Sequence, residues 1–206
     1  LFRSWFLIAA GVPLVFLPLA LWLLRRARWH DDHLDVHSNS GSKLSGRRAL
    51  LTDKRYWFAA PTILSMPFML TAVFIHQDFI LTQKGWSAEW MASCFVLYGV
   101  VHWLSSVSSG ILVDRFSGTR LLSFYTWPLL LALLAAANLS GTWVTPLMMM
   151  LLGVAIGAAG PVVNSVWAEI YGPAQIGGVR SASGSVMVLA TAFSPVGFGW
   201  LIDSGV

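Results

Sequence analysis

The chain has 206 residues, of which 56% are hydrophobic and 11% are charged, and its formal net charge is +4. Soluble domains carry charges on roughly 25% of their residues, so this composition excludes an ordinary water-soluble fold. The basic residues lie between long apolar runs, and membrane orientation therefore explains the positive charge better than nucleic acid binding does. The only cysteine, Cys94, lies inside an apolar run, so no intrachain disulfide can form.

Apolar runs of about 18–25 residues recur along the whole chain, and each can cross a hydrocarbon core ~30 Å thick as a helix. Strands of a membrane barrel would be about half as long and would alternate in polarity. The sequence therefore predicts an all-α polytopic membrane bundle of about six transmembrane helices. The predicted spans are 2–24, 56–77, 90–113, 121–138, 143–166 and 181–202.

Arginine and lysine residues follow the first, third and fifth spans. The loops on the opposite side contain one basic residue, Lys84, and Arg3 lies at the leading edge of the first span. Positive charge marks the cytoplasmic side, so the odd-numbered spans are predicted to run from outside to inside. Ser87 is the predicted N-cap of the third span. The chain starts with Leu1 and is apolar at once, so we expect it to be part of a longer protein. Aromatic residues at the span ends are predicted interface anchors: Tyr56, Trp57, Trp86, Trp90 and Trp143.

The segment 110–120 is a short polar hinge between the third and fourth spans. Its Asp114, Arg115 and Arg120 are predicted to lie at the membrane edge, because a charge at the centre of a membrane helix costs roughly 2.5–3.5 kcal/mol. Ser117 and Gly118 supply turn chemistry that lets the chain reverse. A tight helical hairpin with one acid and two bases at its tip is expected.

The hinge resembles the loop motif of the major facilitator superfamily of transporters. The matching positions are Gly110, Asp114, Arg115, Gly118 and Arg120. The stretch Ser117-Gly118-Thr119 departs from the fullest form of the motif, as in the copy between the eighth and ninth spans. The segment 167–180 is similar to the family's loop between the tenth and eleventh spans, and 195–203 is similar to its penultimate span.

The resemblance implies a secondary transporter that works by alternating access, with these spans as the sixth to eleventh of twelve. Residues 1–24 would be a span, 25–55 a cytoplasmic central linker, and 56–206 the second-half bundle without its last span. The implied partners are a small-molecule solute, the lipid bilayer of the cell (inner or plasma) membrane, and the N-terminal half of the chain; a co-transported ion is left open. The resemblance also implies a cytoplasmic latch, in which Glu169 and Arg180 would pair with the charges of the hinge. Its residues are Gly110, Asp114, Arg115, Gly118, Arg120, Glu169 and Arg180.

Polar side chains inside the predicted bundle are the default candidates for a solute pathway. His102 lies about twelve residues into its span and hence near the midplane, although a lone intramembrane histidine is often a packing residue. The remaining candidates are Tyr98, Trp103, His76, Gln77, Asn164 and Trp167. A stripe of small residues at 153, 157 and 160 is predicted to let another helix backbone approach closely.

Other classes of protein leave weaker signals. A membrane haem protein would use His76 and His102 as axial ligands, but these fall at different predicted depths. His30, His33 and His37 have loose metal-ligand spacing in a linker without cysteines, so we expect neither a metal nor a cofactor. Hydrolase and metalloprotease motifs are absent from the sequence, and no enzyme is expected. A non-transporting receptor or scaffold with six spans remains an alternative.

Overall fold

The computed structural model describes residues 4, 6–8, 10, 11 and 53–204. Within this part the fold is all-α and contains no strand. The predicted span 2–24 and linker 25–55 lie almost entirely outside the described residues. The helices from residue 53 onward are α1 (Lys54–Ile75), α2 (Gln77–Lys84), α3 (Ala88–Phe116), α4 (Gly118–Tyr125), α5 (Trp127–Asn138), α6 (Val144–Tyr171) and α7 (Ile176–Asp203), with a 3-10 turn at Pro173–Gln175.

Four stretches are long and apolar enough to cross a membrane: α3, α4 with α5, α6 and α7. The pair α1 and α2 makes a fifth, bent by 60° at their junction. These five correspond to the predicted spans from residue 56 onward, and the prediction of a polytopic helix bundle is confirmed. The bend at His76 and the helix that follows it were not predicted, because Asp78 and Lys84 interrupt the apolar run there.

Helices α3 and α6 pack backbone to backbone at two glycines. A Cβ on Gly153 would lie 2.9 Å from the carbonyl oxygen of Tyr98, and one on Gly157 would collide with that of His102. Glycines let two membrane helices approach closely, and this role was predicted for both residues. The prediction is wrong for Gly160: in the described structure nothing outside its own helix lies within 4 Å of a Cβ built there.

Large apolar side chains are exposed along α3 and α7, as expected of helices that face hydrocarbon or other spans. On α5, by contrast, most of the side chains are buried against the rest of the bundle. The largest exposed apolar side chains of α3 and α7 include Val96, Trp103, Ile111, Val188, Phe193, Val196 and Trp200.

Hydrogen bonds stabilise the end of the bundle where α2 connects to α3 and α5 connects to α6. Ser87 accepts from the backbone N–H of Trp90 at 3.2 Å, which confirms the predicted N-cap. The indole N–H of Trp90 donates to the carbonyl of Thr142 at 3.0 Å. Trp90 and Trp143 are exposed as predicted for interface anchors, but Trp86 is buried, and so is Tyr56 at the opposite end.

Candidate functional site

The last turn of α6 meets the start of α4 at the carboxylate of Glu169. Its Oε1 accepts a hydrogen bond from the backbone N–H of Gly118, and its Oε2 accepts one from Thr119 at 3.1 Å. Ser165, one turn earlier on α6, donates its hydroxyl to Oε1 at 3.1 Å. The first N–H groups of a helix have no partner inside it, and the positive end of the helix dipole favours an anion there. Glu169 therefore holds the start of α4 against α6.

This junction depends on the absence of a side chain at Gly118. A Cβ there would lie 2.7 Å from Ser165 Cβ and 2.7 Å from the backbone nitrogen of Val166. Ser117 alone separates α3 from α4, and its φ of 71° lies in the left-handed region. The predicted turn at Ser117 and Gly118 is confirmed, but the predicted hinge 110–120 is otherwise helical.

The remaining residues of the predicted latch lie near this junction in the sequence, but none of them is buried in it. Asp114 and Arg115 belong to the last turn of α3 and Arg120 to the first turn of α4, and all three side chains are exposed. Arg180, in the early turns of α7, is exposed as well. Gly110 lies within α3 and has open space around it. Glu169 and Gly118 are the two latch residues that the structure brings into direct contact.

A cavity of about 360 Å³ lies between α1, α6 and α7, with one residue contributed by α4. It extends along α6 from Ile156 to Trp167, a distance of roughly 16 Å at 1.5 Å per residue. Its lining is Tyr56, Ala60, Ile63, Leu64, Met66, Pro67, Leu70, Tyr125, Ile156, Ala159, Gly160, Val163, Asn164, Trp167, Arg180, Ser183, Gly184 and Met187.

The polar groups of this cavity gather toward the end of the bundle where α6 stops and α7 starts. The rings of Tyr56 and Trp167 stack there with centroids 5.4 Å apart and planes 11° apart. The hydroxyl of Ser183 is hydrogen-bonded to Tyr56, whereas the buried indole N–H of Trp167 has no hydrogen-bond partner among the described residues. Arg180 is the charged residue of the described lining. Because buried polar groups are usually paired, the indole N–H calls for an explanation.

Two of the predicted pathway residues, Asn164 and Trp167, line this cavity, and the other five do not. On α3 the ring of His102 stacks on Tyr98, with centroids 5.8 Å apart, while Trp103 is 65% exposed. His76 lies at the bend between α1 and α2, where its Nδ1 donates to the carbonyl of Ala72 at 3.0 Å, and Gln77 begins α2.

Sequence reasoning missed several lining residues that share a helical spacing. On α7, Arg180, Ser183, Gly184 and Met187 recur at intervals of three and four residues, which puts them on one face. The same spacing relates the lining residues of α6 from Ile156 to Trp167. Small and polar residues repeated at this spacing were the available signal. It was overlooked because each residue is ordinary in a membrane helix when considered alone.

Comparison with protein families gives a match to the model of the Major Facilitator Superfamily over residues 1–195. The chain belongs to the major facilitator superfamily. Members of this superfamily are membrane transporters, so the apolar helices belong to a multi-pass membrane protein. The match includes both the Gly118–Glu169 junction and every residue of the cavity. Searches of curated proteins and of solved structures give no match.

In the described part of the chain, no three His, Cys, Asp or Glu residues are grouped so that they could hold a metal ion. His30, His33 and His37 lie outside the described residues.

Proposed function

We propose that this superfamily member is a secondary active transporter that moves a small solute by alternating access. The observation that carries the proposal is the cavity between α1, α6 and α7, whose wall includes two of the predicted pathway residues, Asn164 and Trp167. Small-molecule sites typically enclose about 300–1,000 Å³ and combine apolar walls with a few polar groups. The cavity has this size and this composition.

The direction in which the cavity faces follows from the basic residues of the helix ends. Arg115, Arg120 and Arg180 lie in helix ends beside the α3–α4 and α6–α7 connections. Lys84, at the opposite end of the bundle, donates a hydrogen bond to the Leu139 carbonyl. Because basic residues mark the cytoplasmic side, the polar end of the cavity faces the cytoplasm. The linker 25–55 of the protein lies on the same side. The solute would then be reached from the cytoplasm in one state and from outside in the other.

The junction at Glu169 supports a latch at this cytoplasmic end. Glu169 joins α4 to α6, and the exposed Asp114, Arg115 and Arg120 next to it are available to charged groups of the other half of a twelve-span fold. Pairing of those groups in one conformation would bias the equilibrium between the two access states. Such a bias requires contacts that form in one access state and not in the other. Charges on two halves that meet in only one state provide such contacts.

Transport by the intact protein in liposomes tests this function directly. Purified protein is reconstituted, and uptake of a panel of labelled organic anions, cations and neutral solutes is followed with and without imposed ion gradients. We expect saturable uptake of at least one class, with counterflow against an internal excess of the same solute. Gradient dependence identifies a coupling ion. If no class is taken up and no counterflow occurs, the non-transporting receptor or scaffold is the better assignment.

A further inference from the structure

We propose that the cavity between α1, α6 and α7 binds amphiphilic organic monoanions, with the anionic group at Arg180 and Trp167 and an apolar body between α1 and α6. This inference rests on the proposed transport function, because it names the class of solute that the same cavity would take. Three independent properties of the cavity lead to it.

The first property is the charge of the lining. Arg180 is the basic residue among the described lining residues, and none of these residues is acidic. A guanidinium stays charged in proteins and offers a planar set of donors that fits a carboxylate. Arg180 is exposed at the end of the cavity, and without an acid beside it in the lining it attracts one negative charge, an attraction that salt weakens. The charge of the lining therefore matches a monoanion and opposes a cation.

The second property is a buried hydrogen-bond donor at the same end of the wall, the indole N–H of Trp167. The indole Nε1 of Trp167 can only donate a hydrogen bond, and it has no partner in the described structure although Trp167 is 1% exposed. The hydroxyl of Ser183, three residues after Arg180, lies beside the Tyr56 hydroxyl and hydrogen-bonds to it, so the indole is the donor that needs an acceptor. A carboxylate accepts several hydrogen bonds, so one such group could accept from the indole and from the arginine together. An ammonium group could not accept from the indole.

The third property is the apolar character of the remaining wall. Beyond the stacked rings of Tyr56 and Trp167, the cavity is bounded by side chains such as Ile63, Leu70 and Ile156. The hydroxyls of a sugar would be buried there without partners, which is unfavourable. A ring system or a hydrocarbon chain would instead gain from being removed from water. The ligand is therefore polar at one end and apolar along its length.

Three fluorescent probes with the same ring test the inference: pyrenebutyrate, its neutral amide pyrenebutanamide, and the cationic pyrenebutylamine. Binding to the intact protein in lipid nanodiscs is measured by equilibrium titration, and partition into empty nanodiscs is subtracted. We expect saturable binding of the anion, at least tenfold tighter than that of the amide, because charge-assisted hydrogen bonds are about twice as strong as neutral ones. Binding of the amine should be the weakest.

Variants assign this preference to named groups. Arg180→Gln should weaken anion binding by about tenfold or more while changing amide binding little. Arg180→Lys should keep part of the preference. Trp167→Phe keeps a ring but removes the indole N–H, and we expect about a threefold to tenfold loss for the anion. The controls are Lys84→Gln, which also removes one positive charge, and Trp143→Phe, which also removes an indole N–H; both lie outside the lining, at the other end of the bundle.

Equal binding of the three probes, preference for the amine, absence of binding, or an unaffected Arg180→Gln variant would overturn the inference. If other solutes were nevertheless transported, the proposed function as a secondary transporter would still be supported. The opposite result is also informative. Anion binding that depends on Arg180 and Trp167, in a protein that catalyses neither uptake nor counterflow, would support the site and reject the transport proposal.

Discussion

Gly118 and Glu169 are 51 residues apart in the chain and meet where α4 starts and α6 ends, with the backbone N–H of the first donating to the carboxylate of the second. The glycine provides the space and the acid provides the acceptor, so each residue is needed for the contact of the other. This pair fixes how the α3–α4 turn is attached to the rest of the bundle.

Replacement of the acid tests the hydrogen bonds of this junction. In Glu169→Gln an amide NH₂ replaces one oxygen and faces a backbone N–H that donates as well, so one donor loses its acceptor. We expect the free energy of unfolding to fall by about 1–3 kcal/mol, as measured by thermal or denaturant unfolding in detergent. Glu89→Gln is the matched control, since Glu89 is exposed in the first turn of α3. An equal loss in both variants would contradict the assigned role.

Addition of a methyl group tests the space at the same junction. Gly118→Ala would bring a Cβ within 2.7 Å of Ser165 Cβ and Val166 N, so α4 must move away from α6. We expect a loss of about 1–3 kcal/mol, typical of overpacking. Gly110→Ala is the control in the neighbouring helix, where nothing lies within 4 Å, and it should be neutral or stabilising. Similar melting temperatures for the two variants would show that the helices are not in close contact at Gly118.

The contact between α3 and α6 can be tested in the same way with two glycines of one helix. Gly157→Ala should be destabilising by about 1–3 kcal/mol, because the new Cβ would collide with the His102 carbonyl. Gly160→Ala should cost nothing and could gain up to about 1 kcal/mol of helix propensity. Unfolding of both variants in one detergent separates packing from propensity. A larger loss for Gly160→Ala than for Gly157→Ala would reverse the assigned packing.

The backbone of Ser117 carries strain that glycine would relieve. Its φ of 71° and ψ of 146° place it near a region that is occupied almost only by glycine, which costs another residue about 1–3 kcal/mol. Ser117→Gly should therefore raise the free energy of unfolding by up to about 1 kcal/mol, less than the full strain because glycine also adds freedom to the unfolded chain. Ser123→Gly, inside α4, should instead lower it. Destabilisation by Ser117→Gly would show that this backbone conformation is not strained.

Asp114 provides a test of the proposed latch that does not depend on stability. Asp114→Asn removes a charge from an exposed position in the last turn of α3, so folding and membrane insertion should be unchanged. We expect the initial rate of uptake to fall by about fivefold or more, the lower end of typical coupling between sites. Surface labelling measures insertion, and Asp78→Asn at the opposite end is the control. Full-rate uptake by Asp114→Asn would reject the latch.

The spans themselves could be predicted from the sequence because the rule behind them is local. A helix must satisfy its own backbone within hydrocarbon, so about twenty apolar residues in a row suffice to predict one. The turn at Ser117 and the packing role of Gly153 and Gly157 were predictable for similar reasons, since they depend on backbone freedom and side-chain size. The hinge motif also led to the right family before any fold was known.

Contacts between distant segments were decided by the tertiary structure alone. The resemblance placed Glu169 and Gly118 in one latch, but it paired the acid with charged side chains, whereas the carboxylate accepts from the backbone of Gly118. Nothing near Gly160 in the sequence shows that it borders a cavity while Gly157 is packed against α3. Tyr56 has the sequence position of an interface anchor, but the approach of α6 buries it against Trp167. The physical reason is that hydrophobic length depends on each helix separately, whereas a site depends on which faces of several helices meet.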